Sequence, residues 1–122
     1  MTLTEQDKQK LLKAFTNLLK CANGKGPKNI YVKVVDNVIQ FVIHGVVSDF
    51  EKYLIKNFGE EAIATFTDFY ERDSVNFEKA LIEALSDEPN LRERLKFLRL
   101  ESDFHKDTFI YHMRVECNQL HT

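Results

Sequence analysis

Two β-rich segments separated by only two residues constrain the fold more than anything else in the chain. Ile30–Val35 and Val38–His44 are dominated by β-branched and aromatic side chains, and the intervening Asp36–Asn37 are residues that tolerate positive φ. A connection that short joins antiparallel neighbours, so the pair reads as a β-hairpin. In the first strand Ile30, Val32 and Val34 face opposite to Tyr31, Lys33 and Val35. In the second, Ile39, Phe41 and Ile43 oppose Val38, Gln40, Val42 and His44. One face is wholly apolar and the other mixed, as in an antiparallel sheet covered by helices on one side.

Helical spacing surrounds this hairpin. Leu11, Phe15, Leu18 and Ala22 recur at helical intervals, flanked by Leu12 and Leu19, behind a Thr4–Asp7 cap. Gly24-Lys25-Gly26-Pro27 should stop that helix near Cys21–Asn23, because Gly accepts the left-handed cap conformation and Pro cannot continue the ladder. Ser48-Asp49-Phe50-Glu51 has the form of a capping box, so a helix begins there, lined by Phe50, Tyr53, Leu54 and Phe58 and ended or bent at Gly59. A further helical stripe runs from Glu60 to about Ser86 through Ala62, Ile63, Phe66, Tyr70, Phe77, Leu81, Ala84 and Leu85. Asp73 falls inside this stripe, which calls for either a break at Arg72–Ser74 or one long helix with an acid near its inner face. The single helix is the favoured reading.

Pro89–Asn90 should end the helical region. Leu95–Leu100 alternates imperfectly, whereas Phe109, Tyr111, Met113 and Val115 alternate strictly with Ile110, His112, Arg114 and Glu116, and Glu101–Asp107 reads as the turn between them. The order α-β-β-α-α-β-β predicts an α+β fold, a four-stranded antiparallel sheet built from two hairpins with helices packed on one face. At 122 residues this makes one domain, 1–122.

Charge and composition then exclude whole classes of function. Seventeen Lys+Arg against nineteen Asp+Glu give a net charge of −2, which supplies no field to attract nucleic acid or an anionic membrane. The polar start Met1–Gln9 lacks the apolar stretch of a secretory signal, and no apolar run approaches the ~20 residues of a membrane-spanning helix. The expectation is a cytoplasmic protein with no direct membrane insertion, in which Cys21 and Cys117 are reduced thiols.

Little in the chain has the spacing of a chemical site. Gly24, Lys25, Gly26 and Lys28 are the candidate anion or partner loop, but the loop leaves a helix and enters a strand, Pro27 lacks an N–H, and no nucleotide-binding motif is present. A helix stop with two solvated lysines accounts for it more simply. His44, His105, His112 and His121 are too scattered for a metal site by spacing, and an even-odd offset puts Cys117 and His112 on opposite strand faces. Asp73 calls for an ion pair with Arg72 or Arg94, and Arg92, Arg94, Lys96 and Arg99 read as a solvated strand face. No catalytic residue, metal site or cofactor signature emerges.

Gly24-Lys25-Gly26-Pro27-Lys28, the hairpin Ile30–His44 and then Gly45-Val46-Val47-Ser48-Asp49-Phe50-Glu51-Lys52-Tyr53-Leu54 together resemble the bacterial MpsC-like family. That family, long catalogued as a domain of unknown function, takes its name from association with a sodium-translocating, membrane-potential-generating system. The resemblance extends over nearly the whole chain and implies a small soluble protein working beside a membrane ion-translocating complex. It implies no catalytic residues. The leading expectation is therefore a non-enzymatic accessory or interaction protein that self-associates, as a dimer first, and docks through the exposed sheet face or a hairpin edge. The many aromatics, ten Phe and four Tyr, favour such surfaces. A regulatory domain holding an anion or small metabolite at the Gly24–Lys28 loop is the alternative. An enzyme stands third and would need a pocket gathering Asp73, His44 or Tyr31.

Overall fold

The structure, a computed structural model, describes residues 4–23, 27–92 and 95–115. In chain order the elements are α1 (Glu5–Asn23), β1 (Asn29–Val35), β2 (Val38–His44), α2 (Asp49–Phe58), α3 (Glu60–Ala84), α4 (Pro89–Arg92), β3 (Leu95–Asp103) and β4 (Thr108–Val115). The four strands form one antiparallel sheet in the order β1-β2-β4-β3. Each hairpin pairs internally and β2 joins β4, so Phe41 sits between Val32 and Tyr111 at the centre.

Capping chemistry sets the helix starts. Thr4 and Asp7 cap α1 reciprocally, the Asp7 N–H donating to Thr4 Oγ1 at 3.0 Å and the Thr4 N–H to Asp7 Oδ2 at 3.1 Å. Ser48 and Glu51 do the same for α2. Gly59, at φ 61° and ψ −134°, closes α2 and opens α3, a backbone conformation that is costly for any residue with a Cβ. The bend folds α2 back along α3, so that the Tyr70 hydroxyl donates to Glu51 Oε2 at 2.9 Å.

The core lies between the helices and one sheet face. Leu11, Phe15 and Leu19 of α1 and Leu81 of α3 pack on Ile39, Phe41, Ile43, Phe109, Tyr111 and Met113. Its centre is aromatic: Phe15 stacks on Phe41 at 4.2 Å between ring centroids, and the Phe77 and Tyr111 rings lie within 5.0 Å of Phe15 and of each other. Such pairs stabilise beyond the area they bury. Burial, reinforced by the charge of Asp73, holds the Tyr111 phenol well above its ordinary value.

Five expectations need adjustment. α3 is continuous through Asp73, but that side chain is exposed and accepts from Asn76 Nδ2 at 3.3 Å, so the stripe turns just enough to carry it into solvent and Ser74 inward. Arg72 pairs instead with Asp68 at 2.8 Å, one helical turn away. Pro89 does not end the helical region: it opens the short α4, where its missing N–H costs nothing. β3 runs to Asp103 rather than Leu100, and the turn shrinks to 104–107, closed by Asp107 at φ 51°. Finally, Phe50, Tyr53 and Phe58 do not line a buried face of α2; they stand 61–67% exposed while Ile55 makes the core contact.

Candidate functional site

Among the described residues, three of the places that gather polar chemistry or exposed apolar surface bear on function. The first is the sheet face opposite the core, where Tyr31 and Lys33 of β1, Gln40 and His44 of β2, Thr108, His112 and Arg114 of β4, and Arg99 and Glu101 of β3 alternate outward from the core residues. Across the three strands β2, β4 and β3 runs a hydrogen-bonded row. Gln40 Nε2 lies 3.3 Å from His112 Nδ1, His112 Nε2 lies 3.1 Å from Glu101 Oε1, and Arg99 Nη1 lies 3.4 Å from that same oxygen. A neutral imidazole with its proton on Nε2 satisfies both contacts, donating to Glu101 and accepting from the Gln40 amide. His112 is 5% exposed, so the row is fixed at its centre and opens to solvent at Glu101 and Arg99. Beside it His44 Nδ1 lies 2.9 Å from Thr108 Oγ1, with the Tyr31 ring 6.0 Å from the imidazole.

A β-bulge makes this register possible. Lys96 pairs with Arg114 and Phe97 with Met113, but the next pair is Arg99 with His112, leaving Leu98 extra. The Phe97 N–H turns to Glu78 Oε2 of α3 at 2.9 Å. This one-residue insertion is the source of the imperfect alternation in Leu95–Leu100, and it puts Arg99 and Glu101 on the outer face beside His112.

The second place is a clamp between the β3–β4 turn and the segment that leads into α2. Asp107 Oδ1 accepts from the Val46 N–H at 2.9 Å and the Val47 N–H at 2.8 Å, while Asp107 Oδ2 lies 3.5 Å from Lys52 Nζ. The Gly45 N–H donates to the Asp107 carbonyl at 3.0 Å. Gly45 has φ +80°, and a Cβ there would lie 2.6–2.9 Å from three side-chain carbons of Lys28. Lys28 therefore packs its stem on Gly45, and its N–H donates to the His44 carbonyl at 2.9 Å. The rest of the candidate anion loop, Gly24, Lys25 and Gly26, lies outside the described residues, as do Arg94, Cys117 and His121 and the side chains of Cys21 and Arg92.

The third place is the outer surface of the α2–α3 hairpin. Leu54 and Phe58 of α2 and Glu61, Ala62, Thr65 and Phe66 of α3 line a shallow groove of about 200 Å³. Phe50, one helical turn before Leu54, and Phe69, one turn after Phe66, are 67% and 65% exposed.

The structure thus brings His44 and Tyr31 together on the helix-free face but leaves Asp73 on α3 away from them. His105 approaches Glu60, a different place again. Among the described residues no cluster of three or more His, Cys, Asp or Glu side chains is placed to hold a metal ion. No described helix is long and apolar enough to cross a membrane.

Fold and surface define a small α+β domain with one helix-covered sheet face, one face that none of the described helices covers, and an aromatic helical hairpin at its side. The chain belongs to the MpsC family, described as a Na+-translocating membrane potential-generating system, whose model matches residues 4–89. The matched span holds α1, the first hairpin, α2 and α3, and stops before the β3–β4 hairpin that completes the sheet. No curated protein and no solved structure matches significantly.

Proposed function

We propose that the chain is a non-enzymatic accessory component of a sodium-translocating, membrane-potential-generating system, working from the cytoplasmic side and docking through its helix-free sheet face. Its membership of a family described by that system is the observation that carries this reading. The face supports it because the Gln40–His112–Glu101–Arg99 row is held across three strands before any partner arrives, so little side-chain ordering remains to be done on docking. Tyr31, 42% exposed, adds an aromatic anchor at the β1 side, and aromatics and Arg are enriched where interfaces concentrate their binding energy. Self-association, as a dimer first, is part of the same reading.

Isolation of the sodium-translocating complex from native membranes, with its subunits identified, tests the docking. The chain should co-isolate in stoichiometric amount, and Tyr31→Glu combined with Arg99→Glu should lower the recovered amount at least tenfold while leaving the purified domain folded. Absence of the wild-type chain from the intact complex would refute the reading.

A further inference from the structure

The exposed aromatics of the α2–α3 hairpin need a cover, and the charge pattern of α2 says what covers them. Phe50, Tyr53 and Phe58 on α2 and Phe69 on α3 are 61–67% exposed. At ~200 Å² per aromatic side chain they present on the order of 500 Å² of apolar surface, at the upper end of the largest patch found on monomeric proteins. One such patch alone falls short of a stable interface. Two facing copies reach ~1,000 Å² from the aromatics alone, the size at which specific interfaces begin.

The ends of α2 are chemically opposite. Asp49 stands in its first turn and Lys56 in its last. Seven residues apart, they fall on one helical line with Tyr53 between them, beside the Phe50–Leu54–Phe58 stripe. Both are exposed, and among the described residues neither has an ion-pair partner. Two α2 helices laid antiparallel across a two-fold axis near Tyr53 bring each Asp49 toward the other copy's Lys56. Their dipoles then oppose, and each aromatic stripe enters the other's groove over the small residues Ala62 and Thr65. A parallel arrangement would set like charges together.

We infer that the protein forms an isologous dimer through the α2–α3 hairpin, with the aromatic stripe at its centre and two reciprocal Asp49–Lys56 ion pairs at its rim. This rests on the self-association part of the proposed function and leaves the helix-free sheet face open for the membrane complex.

Sedimentation equilibrium on purified protein, with circular dichroism to confirm folding, tests the interface. The wild type should be a dimer, and Phe50→Glu should be monomeric, since it places a charge at the contact without touching the core. Asp49→Lys and Lys56→Glu should each weaken the dimer about tenfold, because each turns two attractive rim pairs into two repulsive ones. The double variant should recover wild-type affinity, and an equimolar mixture of the two single variants should pair as a heterodimer. A wild type that stays monomeric at high micromolar concentration overturns both the self-association and this interface. A dimer indifferent to Phe50→Glu and to the charge reversals, as pairing along the β1 edge would be, overturns the interface while leaving self-association standing.

Discussion

Removing the Asp107 carboxylate should destabilise the domain more than any other single exposed-turn substitution, although the residue sits in a four-residue turn. Its Oδ1 takes two backbone N–H groups, from Val46 and Val47, at 2.9 and 2.8 Å, and Val47 is 6% exposed. Hydrogen bonds to a charged acceptor contribute about 1.5–3 kcal/mol each, and no other described acceptor reaches these two donors. The Lys52 contact at 3.5 Å adds at most a few tenths, being half exposed on the lysine side. In Asp107→Ala the φ of 51° adds a backbone penalty of about 1 kcal/mol. Water reaching Val46 offsets part of the loss, so the expected cost is about 3 kcal/mol, a large share of the ~5–15 kcal/mol typical of a domain. Asp107→Asn keeps an acceptor oxygen and tolerates the left-handed backbone, and should cost about 1 kcal/mol. Urea denaturation at pH 7 followed by circular dichroism measures both, and hydrogen exchange should show the Val46 and Val47 amides opening faster in the Ala variant. A loss below ~0.5 kcal/mol for Asp107→Ala, with unchanged m-value, would refute the clamp.

Further substitutions probe the supports of the fold. Gly45→Ala should cost about 1–3 kcal/mol in chemical denaturation through its positive φ and the Lys28 carbons 2.6–2.9 Å away, and adding Lys28→Gly should return part of that loss. Glu51→Ala should lower stability by about 1–2 kcal/mol, more than Ser48→Ala at about 1, because Glu51 both completes the cap and accepts from the Tyr70 hydroxyl. The Tyr111 phenol is held above its ordinary 10.0, chiefly by burial, so the folded state binds that proton more tightly than the unfolded chain. Its contribution is complete below pH 10 and drains away as pH rises beyond it; a pH series of thermal melts should show Tyr111→Phe losing less stability than wild type above pH 10.

Much of this architecture is legible in the residues. The Asp36–Asn37 turn, the Ser48–Glu51 capping box and the Gly59 bend are local signals, each fixed by one or two side chains acting on their own backbone, and all three stand as the sequence implies. The adjustments arise where a distant partner decides. The β3 bulge at Leu98 is anchored through the Phe97 N–H by Glu78, nineteen residues before Phe97, and without that contact its alternation looks merely irregular. Asp107 reads as an ordinary turn residue because the amides it serves lie sixty residues back. The helix-free face was visible as the mixed side of the first hairpin, but its polar row needs the β2–β4 register to bring Gln40 opposite His112. The α2 stripe shows the converse limit: Phe50, Tyr53 and Phe58 have the spacing of a core face yet stand exposed, and periodicity alone does not tell a buried face from a solvent-facing one.

Membrane potential in cells lacking this gene tests the central claim most directly, read with a potential-sensitive dye in media where sodium is present or replaced by potassium. Loss of the gene should lower the potential only when sodium is present, and restoring the wild-type chain, but not the Tyr31→Glu and Arg99→Glu variant, should return it. An unchanged potential, or a defect equal in both media, would contradict an accessory role in sodium-dependent charge separation.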